Sequence, residues 1–211
     1  MIIVLLGPPG AGKGTQADRL ADRLRIPKIA TGDVLRAALR DGTKRGLEAK
    51  AYMNRGDLVP DTVILGILQD VMTSPATAKG AILDGAVRTV PQAEGLGMML
   101  AEIGKKVDKV LLFDVDDEEL VKRLSTRTVC ESCQTPYMGR EPGSKCEKCG
   151  GRLVRRKDDE PEAIRNRLEV YRTQTAPVID WYGDQKMKVL KIAADGPVEE
   201  VTSRALEALQ K

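Results

Sequence analysis

The chain has 211 residues, a net charge of +3 and 42% hydrophobic residues, enough for one sizeable core with room for inserts. That near balance of charge argues against binding nucleic acid through bulk electrostatics, and one Phe, one Trp and four Tyr leave little platform for stacking single-stranded bases. Histidine is absent, which excludes Ser-His-Asp triads, His-paired cysteine nucleophiles, His-based zinc hydrolases and phosphohistidine intermediates; catalysis has to use lysine, arginine, carboxylates, backbone N–H groups and a metal ion.

The chain opens on Ile2-Ile3-Val4-Leu5-Leu6, a run that reads as a strand (2–6) covered on both faces. It has no basic leader and is far short of a membrane span, so it is no signal peptide; the expected location is the cytoplasm, with no membrane partner. Gly7-Pro8-Pro9-Gly10-Ala11-Gly12-Lys13-Gly14-Thr15-Gln16 follows at once, leading into a helix over 13–24 striped by Leu20, Leu24 and alanines. Gly7, four intervening residues and Gly12-Lys13 match the G-x-x-x-x-G-K phosphate-binding loop, with the usual Ser/Thr displaced by one: Gly14 stands there and Thr15 comes next. Glycines let backbone N–H groups curl around phosphate oxygens, the helix N-terminus adds a partial positive charge, and Lys13 adds a full one. An ordinary strand-to-helix turn has no use for four glycines and a lysine in this setting.

Further strands are predicted over 28–30, 81–84, 109–114 and 188–193. Helices are predicted over 33–41, 61–73, 91–101, 117–126, 161–181 and 198–209. Thr31 and Asp33 are candidate caps for the second helix, and Asp61 after Pro60 starts the next. The alternation implies an α/β fold with a parallel sheet. Residues 30–60 read as two helices with no strand between them. Residues 127–160 are rich in Cys, Gly, Pro and charge and hold no long periodic helix. Both look like insertions on the side of the sheet where the glycine loop opens.

Within the second insertion, Cys130-x-x-Cys133 and Cys146-x-x-Cys149 are separated by twelve residues. Paired C-x-x-C knuckles read as a zinc site, although this gap is slightly shorter than usual. Four thiolates close a tetrahedral site and leave no open position, so its role is structural: it folds a segment too small to own a core. Gly150-Gly151 supplies the tight turn. The rival readings are a redox dithiol, which usually appears as one C-x-x-C, and a pair of disulfides, which suits an oxidising compartment. A zinc-ribbon nucleic-acid module would want flanking aromatics that are missing.

With these motifs assembled, the chain resembles the adenylate kinases over essentially its whole length, in their long form with a zinc-bearing lid. The resemblance rests on Gly7–Gln16, Thr31-Gly32-Asp33-Val34-Leu35-Arg36, Gly56-Asp57-Leu58-Val59-Pro60-Asp61, Leu83-Asp84-Gly85-Ala86-Val87-Arg88-Thr89 with Gln92, the four cysteines, and Arg156-Lys157-Asp158-Asp159 followed by Arg165-Asn166-Arg167-Leu168. It implies a P-loop, doubly wound, parallel five-stranded sheet. Residues 1–29, 60–125 and 161–211 would form the core, 30–59 an AMP-binding domain and 126–160 a lid over ATP. The implied reaction is reversible, Mg²⁺-dependent phosphoryl transfer from ATP to AMP giving two ADP, in the service of adenine nucleotide homeostasis. The implied cofactors are Mg²⁺ with ATP and a structural Zn²⁺ on Cys130, Cys133, Cys146 and Cys149, in a monomer whose partners are ATP, AMP and ADP.

By the same resemblance, Gly10, Ala11, Gly12, Lys13, Gly14 and Thr15 would wrap the ATP phosphates. Arg36 and Arg88 would hold the AMP phosphate, and Arg123, Arg127, Arg156 and Arg167 would surround the ATP phosphates and the transferred group, Arg156 and Arg167 reaching the AMP side as well. Arginine suits such work because its planar fork pairs with phosphate oxygens and stays charged. Asp84 would hold water-bound Mg²⁺, with Asp33 assisting. Thr31, Gln92, Gly85 and the stretch Asp57, Leu58, Val59 would face AMP. Arg123 and Gly196-Pro197 would sandwich the ATP adenine, with Pro136 and Tyr137 alongside. Plainer readings exist: Arg123, Arg165 and Arg167 as solvated helix charges, Asp158-Asp159 as partners of lid cations, Thr31 as a cap, Gln92 as a first-turn residue. Two alternative functions stand beside the main one, a kinase for UMP, CMP or GMP and a P-loop nucleotide-binding regulator without kinase activity.

The chain departs from the family where Ala86-Val87 stands in place of Phe-Pro. A cis bond before a non-proline residue costs about 3–4 kcal/mol, so the bond before Val87 is expected trans. Loss of the ring is expected to weaken AMP by about 1–3 kcal/mol. Met138 also stands where the family commonly has His.

Overall fold

The computed structural model describes residues 1–210, apart from the side chain of Arg45; Lys211, the last residue of the expected core segment, lies outside them. Five parallel strands form the central sheet: β1 (Ile2–Leu6), β2 (Lys28–Ala30), β3 (Ala81–Asp84), β4 (Lys109–Asp114) and, late in the chain, β8 (Val189–Ala193), in the order β2-β3-β1-β4-β8. These are the five strands read from the sequence. Their side chains alternate between two cores, as a strand covered on both faces requires. Ile2, Val4, Leu6, Leu83 and Val110 point to one face; Ile3, Leu5, Ile82, Leu111 and the single Phe113 point to the other.

The first face is covered by α4 (Asp61–Met72), α5 (Val90–Glu102) and α8 (Pro177–Asp184), the second by α1 (Lys13–Leu24), α6 (Asp117–Thr126), α7 (Pro161–Val170) and α9 (Val198–Leu209). The order of strands reverses around β1, so the crevice beyond the carboxyl ends of the strands is where such a sheet takes ligands. Leu5 on β1, Asp84 on β3 and Ala30 on β2 lie in register, which brings the glycine loop, Asp84-Gly85 and Thr31 to the same edge.

The first insertion is the helix pair α2 (Thr31–Arg40) and α3 (Lys44–Arg55), with no strand between. The second is a three-stranded antiparallel sheet, β6 (Pro136–Met138), β5 (Arg127–Cys130) and β7 (Leu153–Val154), in that order. Strands of two to four residues are too short to show a period, which is why the sequence reading found none here.

Two expectations are corrected. Thr31 and Asp33 do not cap α2: its N-cap is Ala30, the Thr31 hydroxyl donates to Gly85 O at 2.7 Å, and Asp33 pairs with Arg36 on the same helix. The helix read over 161–181 is not continuous. A π-helical turn, Tyr171–Thr175, separates α7 from α8, with the Ala176 N–H reaching back to Tyr171 O at 2.8 Å. Pro177 causes the break, since it has no N–H to give and its ring would clash with a carbonyl one turn back. Among the described residues the peptide bonds are all trans, that before Val87 included, and no helix is long and apolar enough to cross a membrane.

Candidate active site

The glycine loop leaves β1 at its carboxyl end. Gly7 has φ 136°, and a Cβ there would stand 2.4 Å from Phe113 O, so no larger residue fits. Gly12, at φ 87°, begins α1. The Lys13 ammonium donates to Gly7 O at 2.6 Å and Pro8 O at 2.9 Å, closing the loop around itself. Burial lowers its pKa to about 8; the nearby charges of Arg88, Arg167 and Arg127 add to the fall and Asp84 opposes it. Asp84 overlies the first turn of α1, its Oδ2 being 3.3 Å from where a Gly14 Cβ would lie.

Opposite the loop stands a group of arginines from distant parts of the chain. Arg127, at the start of β5, makes a two-pronged bond to the fully buried Asp159, Nε to Oδ2 at 2.7 Å and Nη2 to Oδ1 at 2.5 Å. Arg167 on α7 donates to Asp159 Oδ1 at 2.8 Å and pairs with Asp158 Oδ2 at 3.0 Å. The acidic pair thus does hold a cation of the second insertion, the buried Arg127, as the plainer reading has it, and orients Arg167 of α7 as well. Arg156 sits 3.8 Å from Asp33 Oδ1, bringing the second insertion against the first. Burial, with Arg36 and Arg127 beside it, pushes the Arg156 pKa down to about 9 against Asp158 and Asp33. For Asp33, burial works upward, but Arg36, Lys28 and Arg156 hold its carboxyl below the usual range.

Seven cations, Lys13, Lys28, Arg36, Arg88, Arg127, Arg156 and Arg167, line one cleft with four carboxylates, Asp33, Asp57, Asp84 and Asp158. The Nε atoms of Arg36 and Arg156 are buried without a hydrogen-bond partner. Crowded cations that lower one another's pKa, with unpartnered donors among them, are suited to holding a polyanion such as a phosphate chain.

The cleft extends between α2–α3 and β3. Thr31, Asp57, Leu58, Val59, Gly85, Val87 and Gln92 line it. Gln92 is committed within the protein: its amide donates to Asp61 Oδ1 at 2.6 Å and its oxygen accepts the Arg88 N–H at 2.7 Å. It thereby fixes the turn that carries Arg88. Ala86 differs from the expectation. It is wholly buried in the core and does not line the cleft, so a ring at this position would press into packed side chains rather than wall the AMP pocket.

Of the remaining sequence-read residues, Gly10, Gly14, Thr15 and Pro136 line the cleft, and Ala11 is buried beneath the loop. Arg123 and Gly196 lie outside the cleft lining; the Arg123 fork donates to Ala194 O, two residues before Gly196 in the chain, at 3.1 and 3.2 Å. Tyr137 also lies outside it, with its hydroxyl accepting the Glu147 N–H at 3.0 Å and standing 3.2 Å from Cys146 Sγ. Arg165 is exposed. Lys28 was not singled out in the sequence. Its Nζ lies 3.0 Å from Asp18 Oδ1, 3.3 Å from Gly14 O and 3.9 Å from Asp33 Oδ2, partners that no local pattern announces. Asn166, within a recognised motif but without an assigned role, holds Asp57 Oδ1 at 2.7 Å and Arg55 O at 2.8 Å.

The four cysteines are unbridged, and their Sγ atoms all lie within 4.8 Å of one another, with Cys130–Cys149 at 3.4 Å and Cys133–Cys146 at 3.6 Å. A tetrahedral ion with bonds near 2.3 Å sets its sulfurs about 3.8 Å apart, so the donor set fits such an ion. A Cβ on Gly151 would stand 2.9 Å from Cys130 Sγ, so the knuckle needs glycine there.

Comparison with known proteins agrees with this geometry. The family model described as adenylate kinase matches residues 5–187. The adenylate kinase of Gemmatimonas aurantiaca is 63% identical, covering 100% of this chain and 99% of that protein. Those of Streptomyces coelicolor and Thermodesulfovibrio yellowstonii are 49% and 48% identical, covering all of this chain and 99% and 100% of theirs.

Proposed function

The chain belongs to the adenylate kinase family and is a nucleoside-monophosphate phosphotransferase, and from that premise we propose how its residues divide the work. The observation that carries the reading is the convergence of Lys13, Arg36, Arg88, Arg127, Arg156 and Arg167 on one cleft. Phosphoryl transfer asks a protein mainly for positioning and charge neutralisation. The glycine loop and Lys13 cradle the ATP phosphates. Arg36 and Arg88 hold the AMP phosphate and aim its attacking oxygen. Arg127, Arg156 and Arg167 cover the transferred group, the first and last aligned by Asp159. Thr31, Gln92 and the Asp57–Val59 stretch shape the AMP pocket, while Arg123 and Gly196 flank the ATP base.

Asp84, with Asp33 assisting, offers the oxygen ligands and negative charge suited to hydrated Mg²⁺, which supplies neutralisation across the phosphate chain. Cys130, Cys133, Cys146 and Cys149 hold Zn²⁺, which ties the lid's turns together. Residues 30–59 and 126–160 act as two mobile covers on the core formed by 1–29, 60–125 and 161–211, and their closure keeps water from the attack position. The reading also has the enzyme work as a cytoplasmic monomer, with neither nucleic acid nor membrane as partner.

A coupled assay with MgATP and a panel of AMP, UMP, CMP and GMP tests it. ADP formation fastest with AMP, and its near abolition in a folded Lys13→Met variant, is the expected result. A different preferred acceptor, or undiminished turnover by the variant, overturns it.

A further inference from the structure

Gln134 stands between the two C-x-x-C knuckles with a left-handed backbone, φ 60°. A side chain longer than that of glycine or asparagine is uncommon in that conformation, and such outliers cluster where a site uses them. The amide nitrogen of Gln134 donates to Cys130 O at 3.2 Å and to Glu131 O at 3.1 Å, inside its own turn. Both partners are acceptors, so the nitrogen has to be on that side and Oε1 on the other. Oε1 is buried with no partner. Gln134 lines both the main cleft and a smaller gap between the two insertions, in each case with Arg36, Arg156 and Asp158.

A phosphate cannot satisfy Oε1, because an ionised phosphate offers only acceptors. Oε1 needs a hydrogen-bond donor, and the same gap is lined by the two arginines whose Nε–H groups are themselves unpartnered. Arg156 rides on the same insertion as Gln134. Arg36 rides on the opposite one. We propose that Gln134 is a positioning residue for the AMP-phosphate clamp, its Oε1 accepting a hydrogen bond from Arg36 Nε when the two insertions close on nucleotide. The bond joins the cysteine knuckle directly to α2, so the knuckle's fold is felt at the AMP site through one amide. The inference rests on the assignment of Arg36 to the AMP phosphate.

Two substitutions test it together. Gln134→Gly removes the amide and suits the left-handed backbone, so it does not strain the knuckle. Arg36→Lys keeps the charge and deletes the Nε–H. Gln134→Gly is expected to raise KM for AMP about tenfold, with kcat and KM for ATP within about twofold of the parent. Bound zinc per chain and Tm should be no lower than in the parent. Gln134→Asn, which also favours the left-handed conformation but is one methylene shorter, should do the same. In the Arg36→Lys background Gln134→Gly should have no further effect on KM for AMP. Additive effects, coupling to Arg156→Lys in place of Arg36→Lys, or a rise in KM for ATP rather than AMP overturns the proposal. If the Arg36 assignment itself is wrong, Arg36→Lys alone leaves KM for AMP unchanged, an outcome distinct from additivity, and the proposal falls with it.

Discussion

The two insertions that flank the phosphate loop are stabilised by opposite means. The helical one shares the main core: Leu35 and Ala49 are buried in the same cluster as β1, β3 and α4. The other has a cluster of its own made of Cys130, Cys146 and Leu153, with Cys133 and Tyr137 beside it. Three buried residues bury far too little apolar surface to fold about thirty by themselves. A segment that borrows a core needs amphipathic helices and nothing else. A segment that cannot reach one has, in its place, four cysteine sulfurs within 4.8 Å of one another, a donor set that could hold a metal ion.

The largest expected effect comes from stripping the proposed zinc from those cysteines. Structural zinc contributes roughly 10–16 kcal/mol in isolated finger peptides. Chelation should therefore open amide exchange throughout 127–154 while α2 and α3 stay protected, measured by hydrogen exchange with metal content verified; equal deprotection of both insertions would erase the contrast. Next is Asp159→Ala, which strips Arg127 of both its carboxylate bonds and leaves Arg167 with Asp158 alone. Breaking a buried pair in this way costs about 3–5 kcal/mol, read as a lower denaturation midpoint, with kcat falling as the arginines lose their aim. Leu35→Ala should lower global stability by about 2–5 kcal/mol, whereas Leu153→Ala should leave the global midpoint unmoved and only loosen the lid. Equal effects would show that the lid is part of the main cooperative unit. A smaller change is expected from Ala86→Phe: overpacking of about 1–3 kcal/mol with no gain in AMP affinity, in place of the strengthened AMP binding that the bare sequence suggests. The smallest is a proton count. Burial and neighbouring arginines lower the Lys13 pKa to about 8, and bound phosphates raise it again, so nucleotide binding at pH 8 takes up a fraction of a proton and at pH 6 takes up none. Calorimetry in buffers of different ionisation enthalpy measures this; release instead of uptake would reverse the sign.

The phosphate loop was legible because its residues are contiguous and its chemistry is local: glycines where the backbone must bend, a lysine where the phosphates lie. The cysteine knuckles were legible for the same reason. The arginine clamp could be named only through resemblance, because Arg36, Arg88, Arg127, Arg156 and Arg167 share no local pattern. Asp158 and Asp159 read in the sequence as partners of lid cations; that holds for Arg127, and the fold adds Arg167 from α7. Lys28 and Gln134 carried no signal at all, since what matters about each is a partner or a vacancy contributed from elsewhere.

The five strands of the central sheet, their parallel order, the loop and the paired cysteines were determined by the sequence alone, since each follows from runs of apolar residues or from spacing within a few positions. Tertiary structure decided the rest: that Thr31 bonds across to Gly85 instead of capping its helix, that Pro177 splits a helix through a π-turn, that Ala86 faces the core and not the cleft, and that one amide in the knuckle keeps an unpartnered oxygen in a gap also lined by two arginines whose Nε atoms lack partners. These are matters of which groups meet after folding, and meeting depends on distances through space that the order of residues along a chain does not encode one by one.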